Sequence, residues 1–191
     1  IVSNKRRLMY NDMCRCIFSI GGNIIENVNS YVHLGHVITS SFCDTDDIIH
    51  RRNCFVGQVN TVLCYFNKLN VVSRIKLFRS YCSSIYGCEL WRLSDDNLKV
   101  FCTAWRKALR RVLQVPYNTR SFLLPIVTGS LPIFDEIAKS SARFIVSCLS
   151  SPSSLVRSIS RHSLLFAGYN SLLGGNALFL CKRYVGLLIS Y

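Results

Sequence analysis

Acid is what this chain has little of. Ten Asp and Glu stand against 23 Lys and Arg, a formal charge of +13 over 191 residues. Such an imbalance points to a polyanionic partner, nucleic acid ahead of an anionic membrane surface. Charge of either sign is sparse, at 17% of residues, while half the residues are hydrophobic, which excludes global disorder and allows one domain with a core, or one plus part of a second. A long unbroken apolar run is also missing. The most apolar tract, "SLLFAGYNSLLGGNALFLC" at 163–181, is interrupted by Asn170, Asn176 and three glycines, so no membrane span and no membrane partner is expected. The opening "IVSNKRRLMYND" has no apolar segment after its basic residues, no small-residue cleavage site and no initiator Met. The expectation is a nuclear or cytoplasmic, non-secreted protein from a partial gene.

Several catalytic signatures are missing too. There is no G-x-S-x-G for a nucleophile elbow and no G-x-x-x-x-G-K-[ST] to cradle phosphates. The ten cysteines contain no C-x-x-C, and most stand in apolar helical patterns, where they are expected as reduced, buried small hydrophobes. One set, His33, His36, Cys43, His50 and Cys54, is a weaker zinc alternative whose spacing matches no standard pattern, although His50 and Cys54 share a helix face at i, i+4.

What is present divides into strands and then helices. "RCIFSI", the turn "GGN" and "IIENV" predict a hairpin, and "YVHLGHVI" continues the strand pattern with Gly35 at a bulge or close approach. From Asp44 the period becomes helical. Residues 44–68 place Ile48, Ile49, Phe55, Val56, Val59, Val62, Leu63 and Phe66 on one stripe, with Asp44 as N-cap and Asp46 and Asp47 in the first turn. A second helix is predicted over about 71–88, with Val72, Ile75, Phe78, Cys82 and Ile85 inward and Arg74, Lys76 and Arg79 largely off that face. The third, 95–114, is the clearest. Leu98, Phe101, Cys102, Trp105, Leu109, Val112 and Leu113 fall in one arc, and Lys99, Arg106, Lys107, Arg110 and Arg111 in the opposite one. Pro116 should stop it. "SLPIFDEIAKSSARFIVSCL" predicts another helix capped by Ser130, "SSPSS" at 150–154 a linker with a short helix to Ile159 after it, and residues beyond 163 no clear element.

The doublet Asp46–Asp47 has the composition of a polymerase metal pair but not the setting. Such a pair needs a tight hairpin between apolar strands to hold two Mg²⁺ rigidly, whereas here a helical stripe follows, so helix-start carboxylates are expected. The basic arc of the third helix is the better functional signal, suited to tracking phosphates while the other face packs inward.

In order along the chain, "YVHLGHVI", "DTDDIIHRRN", "LFRSYCSSIYGCELW", "AWRKALRRVLQVPYNTRSFLLPI", "LPIFDEI" and "ARFIVSCL" resemble the LINE-type reverse transcriptases of non-LTR retrotransposons (Jockey-like and RTE-like), in the stretch just after the catalytic centre. The resemblance covers roughly residues 1–160 and extends through "YNSLLGGNALF" into the tail. It implies a mainly α fold with a small N-terminal antiparallel β portion: residues 1–42 as the partial palm with its primer-grip hairpin, 43–150 as a helical thumb, and 151–191 as a C-terminal extension. Tyr31, Leu34 and Gly35 would shape the primer grip. Arg106, Lys107, Arg110 and Arg111, with Arg51, Arg52, Lys76 and Arg79 as secondary candidates, would contact the phosphates of an RNA/DNA template-primer.

"SNKRRLM" is similar to the family's Asn-Lys-Ser-type motif, which makes Lys5 the residue beside a leaving pyrophosphate, with Arg6 where Ser or Thr is usual. The family's Phe/Tyr-x-Asp-Asp hairpin does not occur in this chain, nor does the tail carry a Cys/His knuckle. The resemblance therefore implies no catalytic carboxylate and no bound cofactor here, Mg²⁺ belonging to the intact polymerase with its missing palm and fingers. The alternatives are a non-functional relic or a non-enzymatic helical interaction or nucleic-acid-binding module.

Overall fold

The computed structural model describes residues 18–25, 28–41, 43–83 and 85–185, and the chain divides into two compact units, Ile1–Phe42 and Cys43–Tyr191. It is a mainly helical α+β protein, and among the described residues the strands all lie near the N-terminus.

The described residues of the first unit form two antiparallel hairpins. β1 (Phe18–Ile20) pairs with β2 (Asn23–Ile25) across Gly21 and Gly22, whose φ angles of 58° and 83° suit glycine, as the Gly-rich turn predicts. β3 (Ser30–His33) pairs with β4 (His36–Thr39), with Tyr31 opposite Ile38 and His33 opposite His36. Leu34 and Gly35 form the two-residue turn, both at positive φ (49° and 79°), the backbone signature of a type I′ hairpin. Gly35 is thus a turn residue rather than a bulge. Leu34 takes a left-handed conformation at a cost on the order of 1 kcal/mol or more, because its Cβ crowds the following carbonyl.

The second unit is built from α1 (Thr45–Phe66), α2 (Val71–Cys82), a 3-10 turn at Cys88–Leu90, α3 (Asn97–Leu113), α4 (Leu123–Thr128), α5 (Ile133–Leu149), α6 (Ser154–His162) and α7 (Leu172–Leu180). π turns at Ser163–Ala167 and Cys181–Val185 and a 3-10 turn at Gly168–Asn170 flank α7. α3 is the hub and packs against α1, α2, α4 and α5. All seven of its inward residues are buried as the sequence period predicts. They meet an aromatic cluster in which Phe55 stacks on Trp105 (centroids 4.8 Å apart) and Phe78 meets the same indole edge-on at 5.1 Å. Each such pair contributes about 0.5–1.5 kcal/mol beyond its buried area.

Several helix ends and faces differ from the sequence expectation. α2 stops at Cys82, short of the expected 88, and a 3-10 turn stands at Cys88–Leu90. On α1, Ile49 and Phe66 are exposed, and on α2, Val72 is exposed while Arg74 is buried, its Nε and Nη1 without a hydrogen-bond partner among the described residues. Asp44 holds the N-cap position of α1 as expected but makes no side-chain cap bond: its Oδ2 accepts instead from the Arg92 N–H at 2.8 Å. Burial raises the Asp44 pKa, opposed by that backbone bond. Ser130 does not cap α5 either; Pro132 holds the N-cap position and Ser130 Oγ bonds to Thr128 Oγ1 (2.7 Å). α3 ends through Gln114 at φ 56°, two residues before Pro116.

The segment after 163, unassigned from the sequence, folds back into this unit. Asn176 is buried, accepts from the Leu93 N–H (2.9 Å) and donates to the Trp91 carbonyl (2.9 Å) and Ser141 Oγ (3.1 Å). Gly174 is required there, because a Cβ would lie 2.3 Å from the Gly168 carbonyl oxygen and 2.6 Å from that of Ser163. No single helix among the described residues is long and apolar enough to cross a membrane; the pair 154–170 and 172–184, bent by 77°, has the length and composition only when taken together.

Candidate nucleic-acid interface

A groove of about 540 Å³ runs between α1 and α3. Its floor is apolar, with Val56, Val59, Val100, Ala104 and Ala108, and its walls carry four cations: Arg52 from α1 and Lys99, Lys107 and Arg111 from α3. Helical spacing explains the arrangement. Arg52 precedes Val56 and Val59 by four and seven residues, so it flanks the stripe that buries α1, while Lys99, Lys107 and Arg111 stand on the edge of α3 that turns towards α1.

The cations differ in how far their charge is compensated. Lys99 is paired with Asp96 at 2.6 Å in full solvent, and the contact lowers the Asp96 pKa and raises that of Lys99. Such an exposed pair contributes little to stability. Arg111 donates from Nη1 to the neutral Asn60 Oδ1 at 2.8 Å, which orients the guanidinium without cancelling it. Arg52 Nη1 leans on Asn53 Oδ1 at 3.3 Å, and its Nε is shielded from solvent with no hydrogen-bond partner among the described residues. Among those residues the ion pairs are Lys99–Asp96 and Arg183–Asp135, so Arg52, Lys107 and Arg111 face no carboxylate.

The remaining predicted cations lie elsewhere. Arg110 turns away from the groove: its Nε and Nη2 hold the Thr119 carbonyl (3.1 and 2.8 Å), Nη2 also reaches Ser121 Oγ (2.9 Å), and the guanidinium lies 5.9 Å from the Tyr117 ring. It pins the loop that links α3 to α4. Arg106 bonds Thr103 Oγ1 at 3.0 Å and borders a separate apolar pocket of about 580 Å³ lined by Trp105, Phe122, Leu124 and Leu131. Arg51 sits 5.4 Å from the Tyr86 ring centroid. Lys76 is exposed on α2, and Arg79 borders a third hollow with Ile133 and Glu136. The five-cation arc of α3 is therefore split by its neighbours into a groove side and a loop side.

In the first unit, Tyr31 is exposed on β3 with its ring 6.4 Å from that of His33, and Leu34 and Gly35 form the exposed hairpin tip. Lys5 lies outside the described residues. Asp46 is exposed, whereas Asp47 is buried and accepts from Trp91 Nε1 at 2.7 Å. That tie across 44 residues could not be read from the sequence, and neither could the role of Asn60, because both partners come from distant elements. Of the eight described cysteines, Cys82, Cys88 and Cys102 are buried, Cys148 is half-buried, and Cys43, Cys54, Cys64 and Cys181 are exposed, so burial is less general than expected. Burial pushes the Cys82 thiol up to about 11 and that of Cys88 to about 12. His50 Nε2 and Cys54 Sγ lie 3.7 Å apart on α1, and no group of three or more His, Cys, Asp or Glu side chains arranged to hold a metal occurs among the described residues. The chain has no significant match among known protein families, curated proteins or solved structures.

Proposed function

We propose that this chain is a piece of a retroelement RNA-directed DNA polymerase that binds an RNA/DNA template-primer and is inactive alone. The hairpins up to residue 42 would be the end of the palm with its primer grip, and the helices from 43 onward the thumb. The observation that carries the reading is the groove between α1 and α3, where Arg52, Lys107 and Arg111 present charge that no carboxylate among the described residues pairs with. Support also comes from the family-like phrases along the sequence and from the change from strands to helices at residue 43. Two walls of cations over an apolar floor suit a ribose-phosphate backbone, whose charges attract the walls while its sugars cover the floor.

The test is fluorescence anisotropy with a labelled RNA/DNA hybrid between 50 and 200 mM salt. About four phosphate contacts give a log–log slope of about −3 to −4. A flat salt response would overturn the reading. Primer extension with Mg²⁺ and deoxynucleotides should remain absent, because the chain contains no Phe/Tyr-x-Asp-Asp.

A further inference from the structure

Charge is distributed unevenly in the second unit. No Asp or Glu follows Glu136, whereas Lys139, Arg143, Arg157, Arg161, Lys182 and Arg183 do, so residues 137–191 carry six cations and no acid. In the same segment α6 and the π turn after it turn an apolar face outward. Leu155 is 68% exposed, Ile159 58%, Leu165 74% and Phe166 77%. Leu155, Ile159 and Phe166 are spaced by four and seven residues, which stacks them on one side of the helix, and Tyr169 follows, exposed, with Lys182 Nζ 5.2 Å from its ring centroid. Ser160, on the other side, is buried, and Arg157 is turned back onto the Ser151 carbonyl at 2.7 Å. The helix thus packs through its small and polar residues and leaves its largest apolar ones in water, the reverse of the usual assignment.

We propose that this face seats on the surface of an anionic lipid bilayer, with Leu155, Ile159, Leu165 and Phe166 among the headgroups and Arg161 and Lys182 against lipid phosphates and carboxylates. The helix lies on the bilayer and does not cross it. This surface is separate from the α1–α3 groove and does not rest on the template-primer reading. Charge complementarity selects the occupant. A second copy docked face to face would oppose Arg161 and Lys182 with their own equivalents, and the nearby carboxylate, Asp135, is already paired with Arg183. A nucleic-acid backbone offers charge but no apolar layer for four large exposed side chains. An anionic bilayer supplies both, and its negative surface potential attracts nearby cations.

The experiment is flotation of the full chain with phosphatidylcholine vesicles and with vesicles containing 30% phosphatidylserine, at 150 mM salt. The expected result is binding to the anionic vesicles and little to the neutral ones, weakened roughly tenfold or more by Leu155→Gln/Ile159→Gln/Phe166→Gln. These positions are exposed, so circular dichroism should be unchanged, and Arg161→Gln serves as a second, milder variant with a smaller loss. Failure to float with anionic vesicles overturns the proposal. So does a triple variant that floats as well as the parent, which would mean attraction through net charge alone. Sedimentation showing a parent dimer that the triple variant converts to monomer would assign the face to a second copy and overturn the proposal. Equal loss of RNA/DNA hybrid binding in the triple variant would assign it to nucleic acid, with the same consequence.

Discussion

The two flanks of α3 start from similar residues and end differently. On the groove side, Lys107 and Arg111 look across an apolar floor to Arg52, and the contact made by Arg111 is to a neutral amide. On the loop side, Arg110 spends its donors on the Thr119 carbonyl and Ser121, and Arg106 borders an apolar pocket. A helical wheel counts both flanks as one basic face. What separates them is the neighbour: α1 brings side chains that leave the positive charge open, while the 114–122 loop brings backbone carbonyls that need donors.

The difference can be pushed hardest by neutralising the groove. Arg52→Gln/Lys107→Gln/Arg111→Gln should reduce the salt slope for hybrid binding by about 1 per residue and lower affinity at 150 mM salt on the order of 100-fold, with the melting temperature little changed. Anisotropy with parallel thermal denaturation would reveal it, and an unchanged slope would erase the distinction between the flanks. Arg110→Gln should do the opposite. Loss of a charged donor pair to a backbone carbonyl costs about 1–3 kcal/mol of stability, measured by urea denaturation, with less than about threefold change in hybrid affinity.

A third variant concerns the acids that orient the same region. Asp47→Ala leaves the indole N–H of fully buried Trp91 without this acceptor and should cost about 1–3 kcal/mol while hybrid binding is retained. The smallest effect is expected from Asp96→Asn, which frees Lys99 at the groove mouth and should tighten hybrid binding by about twofold. Because the pair lowers the Asp96 pKa, its contribution is present above the ordinary carboxylate value and is lost as pH falls through the depressed one. The parent's affinity should therefore approach that of the variant only in strongly acidic buffer.

Much of the fold was legible because period and burial coincide. The inward stripe of α3 reads directly from seven residues at helical spacing, and all seven are buried. The Gly-rich turn between β1 and β2 was equally plain, since only glycine takes positive φ freely there. Leu34 hid the second turn, because a leucine at φ 49° contradicts its own propensity, and the hairpin geometry overrides it. Arg74 departs from its sequence expectation for a related reason: its position on α2 faces inward, and residue type alone argues for solvent. The tail was opaque because a glycine pair inside an apolar run signals a loop locally. In the fold Gly174 is the close approach that lets α7 lie against the Ser163 and Gly168 carbonyls. For the interface, the cations themselves were visible, but which of them stay uncompensated depends on Asn60, Thr119 and Ser121, partners that no periodicity reveals.

Residues 91–93 receive bonds from both ends of their unit: Trp91 Nε1 donates to Asp47 and the Arg92 N–H to Asp44, while Asn176 takes the Trp91 carbonyl and the Leu93 N–H. These bonds close sequence separations of 44 and 48 residues on one side and 83 and 85 on the other. Loop closure of that length must be met before the bonds form, so these four bonds are expected to form late, despite the unit's helical content. During synthesis the centre around Trp91 stays incomplete until Asn176 has been made. A fragment ending before that residue would hold every major helix of the groove and still leave two backbone groups at its centre without this partner.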